Sequence, residues 1–175
     1  MQPSRLLVLA VAGEAVLVLV AVVWMGLRDI PFRLGSGWWF RDVVIGGVAA
    51  GGLAVVNLYL LCRAPAVPGV VAVRRFYRDT LRPLFGAIGF REVMVISVAA
   101  GVGEELFFRG FLMISVAGYF GLYKSLILTS ILFACLHGHV GLVIPVLFSS
   151  ITVSVVFIYF RSLWASITVH CMQNI

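Results

Sequence analysis

Long apolar runs, almost free of charge, decide what this chain can be. Leu6 to Leu27 is a run of 22 residues interrupted only by Glu14. A helix that crosses the hydrocarbon core of a bilayer needs about 20 such residues. Nothing in that core except the chain itself can satisfy backbone N–H and C=O groups, so a run of this kind is either a spanning helix or a deeply buried one. A second run, Val43–Cys62, contains Asn57. A third starts near Val93, continues to about Tyr119 and carries Glu104, Glu105 and Arg109. A fourth runs from about Ser125 to His137, and the tight turn Gly138-His139-Val140-Gly141 follows it. A fifth, Leu142–Phe160, has Pro145 in its first turn. A sixth begins near Leu163 and reaches Ile175, too short to span by itself. The expected fold is therefore all-α: a polytopic membrane helix bundle of about six membrane segments.

Composition excludes the aqueous alternative. Of 175 residues, 62% are hydrophobic and 11% charged, against about 25% charged in soluble domains. A chain this short cannot hide that much apolar surface from water. The 18 glycines suit helices that approach closely in lipid. The first run is too long for a signal peptide and shows no clear cleavage site, so it is read as a retained helix.

The connecting segments are of two kinds. Arg28 to Asp42 reads as a polar loop, with Pro31, Gly35 and Gly37 as breakers and Trp38-Trp39 as an interfacial anchor. Arg63–Glu92 holds Arg63, Arg74, Arg75, Arg78, Arg82 and Arg91 among Val70, Val71, Phe76, Tyr77, Leu81 and Phe85. That pattern suits an amphipathic helix lying on the membrane surface. The net charge of +6 follows from such arginines, and headgroups and the positive-inside rule account for them without nucleic acid. With a cytoplasmic N-terminus, Arg5 and those six arginines oppose Arg28, Arg33, Arg41, Lys124 and Arg161, a bias of seven to five. Cys62, Cys135 and Cys171 lie in or near apolar runs at no metal-binding spacing. The chain is one membrane domain over 1–175, with two N-terminal helices and the interfacial segment in 1–92 and a chemistry-bearing core in 93–175.

Charges inside a membrane cost about 2.5–3.5 kcal/mol each on insertion scales. Three polar groups in the core therefore call for a purpose. In Glu104-Glu105-Leu106-Phe107-Phe108-Arg109, Glu105 and Arg109 stand i,i+4 and can pair. Glu104 points about 100° away and has no partner in the motif, which suits a general base. Phe133-Ala-Cys-Leu-His137 ends the fourth run, and His139 is more simply an interfacial residue. His170 and Asn174 stand i,i+4 on one face of the last segment. Counted at 1.5 Å per residue, Glu104, His137 and His170 can fall at similar depths. Glu14 is the one membrane acid outside these groups; it can pair with an arginine of a neighbouring helix or serve a proton or ion conduit.

Glu104-Glu105-x-x-x-Arg109, Phe133-x-x-x-His137 and His170-x-x-x-Asn174, set in GEELFFRGFL and SLWASITVHCMQN, resemble the three motifs of the CAAX protease and bacteriocin-processing (CPBP, or Abi) family. The resemblance covers residues 93–175. It implies an intramembrane endopeptidase of the glutamic type, in an integral protein of a bacterial or archaeal cell membrane. Glu104 would activate water with help from His137, His170 and Asn174 would steady the oxyanion, and Glu105 and Arg109 would hold the site's shape. No cofactor is expected, although zinc held by Glu104, His137 and His170 is the open alternative. The implied partners are the lipid bilayer and a membrane-associated protein or peptide: a lipidated C-terminus, a bacteriocin leader or a C-terminal sorting anchor. A non-catalytic immunity or scaffold protein of the same fold is the competing function, beside the conduit.

Overall fold

The computed structural model describes residues 3–30, 34–35, 37–64, 66–86, 88–139 and 142–174. Pro31, Arg33, Val140 and Gly141 lie outside the described residues, so that part of the expected loop and turn is not placed. Among the described residues the chain is helical throughout, without strands. The order is α1 (Pro3–Leu27), α2 (Trp39–Arg63), α3 (Pro68–Phe76), a π-helical turn (Tyr77–Leu81), α4 (Arg82–Phe85), α5 (Phe90–Glu105), a second π-helical stretch (Leu106–Met113), α6 (Ile114–Phe120), α7 (Leu122–Leu136), α8 (Val143–Phe160) and α9 (Leu163–Gln173).

The apolar runs become the helices. Residues 90–120 form one continuous helical rod, because no proline or turn residue interrupts the hydrogen-bond ladder from α5 through the π stretch to α6. Gly121, at φ +80°, ends it, a backbone conformation open to glycine and costly for most other residues. Three helices are long and apolar enough to cross a membrane: Leu7–Leu27, Trp39–Arg63 and Val143–Phe160. Their outer faces expose Val16, Leu19 and Val23 of α1 and Val48 and Val55 of α2, a covering that only lipid makes inexpensive. With no water to drive apolar faces together, such helices associate through close packing and polar contacts instead.

Between the spans, Pro68 opens α3, where a missing N–H costs nothing, and Pro83 follows the π turn in the helical stretch that continues into α4. Val70 of this segment is buried while Arg74, Arg75, Arg78 and Arg82 are exposed, the division an amphipathic surface helix requires.

One expected boundary is corrected. The loop taken to reach Asp42 ends at Trp38, and α2 starts four residues earlier than its apolar run, at Trp39. The reason is tertiary. Asp42 is fully buried and accepts a hydrogen bond of 2.8 Å from Ser162 Oγ. Ser162 is also the N-cap of α9, accepting from Ala165 N at 3.2 Å, and Trp164 N donates to Leu34 O at 3.0 Å. These bonds pin the start of α9, which is the centre of the bundle: it packs against α2, α5 and α8. α1 lies on α5 and the second π stretch, and α7 lies on α8.

Small residues set these approaches. A methyl group on Gly46 would stand 2.5 Å from Ala165 O and 2.7 Å from Thr168 Cβ. The packing of α2 on α9 buries Ala50, Leu53, Ala165 and Val169 together. Gly46→Leu is therefore expected to lower the melting temperature in detergent, by the equivalent of about 1–3 kcal/mol for an overpacked site. Gly51→Leu, at a position with nothing within 4 Å, is the control and should leave the melting temperature in place.

Candidate active site

The site is built where α5 passes into the second π-helical stretch. In this stretch Phe108, Arg109, Gly110 and Phe111 are all buried. Such π segments recur at functional sites. Just before it, the pair read from the sequence is formed: Arg109 Nη1 donates to Glu105 Oε1 at 2.7 Å, with both side chains inside the bundle. The guanidinium is satisfied on its other edges as well. Its Nε donates to Ser154 Oγ at 3.2 Å, and its Nη2 to the carbonyl and hydroxyl oxygens of Ser150 at 2.9 and 2.8 Å. The Phe133 ring lies 5.0 Å from it, a cation–π contact of the desolvated kind.

Glu105 also reaches α9. Its Oε1 accepts from His170 Nδ1 at 2.8 Å. A carboxylate oxygen only accepts, so Nδ1 carries the hydrogen and Nε2 is the nitrogen left for chemistry. Nε2 faces Glu104, whose Oε2 lies 3.6 Å away. That separation is just beyond a direct hydrogen bond. The Glu104 Oε2 atom is buried and makes no hydrogen bond to the described residues. The result is a chain of contacts, Arg109–Glu105–His170–Glu104, that orients one imidazole against one carboxylate.

Asn174 caps α9. Its carbonyl accepts from Ser97 Oγ at 3.3 Å, and its exposed side chain has no hydrogen-bond partner among the described residues. His137 is held differently. As the C-cap of α7 it donates from Nδ1 to Phe133 O at 2.8 Å. Phe133 packs against both imidazoles, 4.5 Å from the ring of His137 and 5.9 Å from that of His170. His137 thus borders the site without a hydrogen bond to Glu104 or His170 among the described residues. His139 stacks on Phe76 at 5.3 Å. Glu104, His137 and His170 do not form a zinc cage as placed: among the described residues no three His, Cys, Asp or Glu side chains are gathered where they could hold a metal ion.

A family model described as type II CAAX prenyl endopeptidase, Rce1-like, matches residues 87–175, just over half of the chain. The chain belongs to this family. No curated protein and no solved structure matches it. The Rce1-like region takes in α5 through α9, and with them Glu104, Glu105, Arg109, His137, His170 and Asn174. It leaves out α1 and α2, and so Glu14 and Asp42.

Two features of the candidate site lie outside the sequence motifs. Ser150 and Ser154, which receive Arg109, stand i,i+4 on α8, and that spacing of hydroxyls in an apolar helix is the signal that marks them. The bond between His170 and Glu105 joins residues 65 apart, with no local signal.

Removing one member of a buried, hydrogen-bonded charge pair leaves the other uncompensated, at a cost of about 3–5 kcal/mol. Arg109→Leu is expected to show a loss of that size in detergent unfolding. Ser154→Ala, which removes one bond to the guanidinium, should cost about 1.5–3 kcal/mol. Equal melting temperatures for Arg109→Leu and wild type would mean that the pair does not hold the bundle.

Proposed function

We propose that the chain is an intramembrane endopeptidase of the glutamic type, hydrolysing a peptide bond of a membrane-associated substrate. The supporting observation is the orientation of His170 by the buried Glu105–Arg109 pair, with its free nitrogen turned to Glu104 at 3.6 Å. Peptide hydrolysis needs an activated water, donors for the oxyanion and a frame that holds both. Glu104 takes a proton from water as the water oxygen bonds to the carbonyl carbon. The oxyanion so formed is met by His170, with a proton on Nε2, and by the amide of Asn174. The C–N bond then breaks as the proton taken by Glu104 passes to the departing amine. His137, tied through Nδ1 to Phe133 O, keeps Nε2 for the water. No step needs a serine or cysteine nucleophile, nor passes through a metal.

The family's description names prenylated CAAX substrates. For this chain the substrate class is a membrane-anchored peptide presented at the bilayer: a lipidated C-terminus first, with a bacteriocin leader or a sorting anchor reaching the same depth by the same route. The arginines of 63–92 then face the cytoplasmic leaflet, with the N-terminus on that side.

The test uses the full chain in liposomes with a fluorogenic farnesylated peptide ending in a CAAX-type sequence. Wild type is expected to cleave it with or without chelator. Glu104→Gln should lose about 10²–10⁴ in rate at an unchanged melting temperature. Full turnover by Glu104→Gln would refute the mechanism. Cleavage lost to chelator and regained with zinc would make Glu104 and His170 metal ligands instead.

A further inference from the structure

Between Arg5 and Arg28 the first helix carries a single ionisable side chain, Glu14. It does not face lipid. Its carboxyl group rests on α5 at Gly103, the residue before Glu104. A methyl group on Gly103 would stand 2.5 Å from Glu14 Oε2, 3.0 Å from its backbone oxygen and 3.1 Å from its Cβ. Any larger residue at 103 would push α1 off α5, so this glycine is the seat that lets Glu14 in.

The seat has no cation in it. The elements packed on α1 are α5 and the second π stretch. They present Glu104, Glu105 and Arg109, and the guanidinium of Arg109 is engaged by Glu105, Ser150 and Ser154. Behind them α9 contributes His170 and Cys171. No arginine pairs with Glu14 among the described residues. The residue after this seat is Glu104, which faces His170 across the proposed reaction centre. Glu14 Oε2 and Glu104 Oε2 are both buried, and neither makes a hydrogen bond to the described residues. Buried polar atoms are costly unless paired, and two carboxyl groups that do not bond directly can satisfy each other through a shared water.

We propose that Glu14 is a positioning residue of the active site. α1 brings a hydrogen-bonding carboxyl group to the Glu104 side of the cleft, where it fixes the orientation of Glu104 and of the water that Glu104 activates. This rests on the reading of Glu104 as general base. It extends the site to a helix that the family match does not cover. It also assigns the glycine of the Gly103-Glu104-Glu105 sequence a purpose: the base needs its helix to be approached closely at the residue before it.

The test pairs Glu14→Leu with Glu14→Gln in the full chain, reconstituted in liposomes with the farnesylated reporter peptide. Leucine suits an apolar helix, so Glu14→Leu is expected to melt no lower than wild type. Its kcat should nevertheless fall about 10²-fold, the scale of a misplaced reacting group, with KM unchanged. Glutamine keeps a donor and an acceptor, and Glu14→Gln should recover most of the lost kcat. Wild-type kcat in Glu14→Leu would overturn the proposal, and so would a Glu14→Gln variant as slow as Glu14→Leu. A melting cycle supplies a readout independent of turnover: the shift caused by Glu14→Leu should differ between wild type and Glu104→Gln, as it does for residues in contact. Additive shifts would overturn the contact. If Glu104→Gln itself turned over normally, the assignment of the base would fall, while the melting cycle would still decide whether Glu14 and Glu104 meet.

Discussion

The bundle depends on one buried charge pair, Glu105 with Arg109. Bringing two charges out of water costs several kcal/mol for each ion, and an apolar surround makes any unpaired member intolerable. The structure meets that cost by surrounding the pair: two serines of α8, the ring of Phe133 from α7 and the imidazole of α9 all contact it. In a bilayer, where lipid tails are as apolar as leucine, helices gain little by burying hydrophobic faces against each other. A polar centre that draws contacts from three further helices supplies the specificity that the apolar faces cannot.

Because the same atoms hold the fold and orient the polar residues of the candidate site, architecture and site are not separable here. His170 is oriented by the carboxylate that neutralises Arg109, and its second nitrogen is left toward Glu104. α9 is only 11 residues long, about 16 Å at the helical rise. It reaches its position through its ends, Asp42 holding Ser162 at one and Ser97 holding the Asn174 carbonyl at the other. A short helix in the middle of longer ones puts polar side chains deep in the bundle without lining a whole span with them.

What could be read in the chain follows interaction range. The apolar runs mark the helices, since each is a local statement about the solvent. α8 begins within one residue of its run, and α9 begins at the residue where its run does. The Glu105–Arg109 pair was legible because both partners sit one turn apart. The start of α2 was not, because Asp42 is polar in sequence and buried in space, its partner Ser162 being 120 residues away. The convergence of His137 with Glu104 and His170 was a depth argument. Depth fixes a level in the membrane but not a direction around a helix: His137 gives Nδ1 to its own helix carbonyl and shares the Phe133 ring with His170.

By itself, then, the sequence determined the solvent, the helices and the residues costly enough in a membrane to need a use. Those are properties of a segment and its neighbours one turn away. Only the tertiary structure decided which of the polar residues meet: His170 with Glu105, Arg109 with Ser150 and Ser154, Glu14 with Gly103. These contacts join separate helices. They depend on rotation about each helix axis and on whether a glycine lets two backbones approach, and neither is encoded in the period of one segment alone.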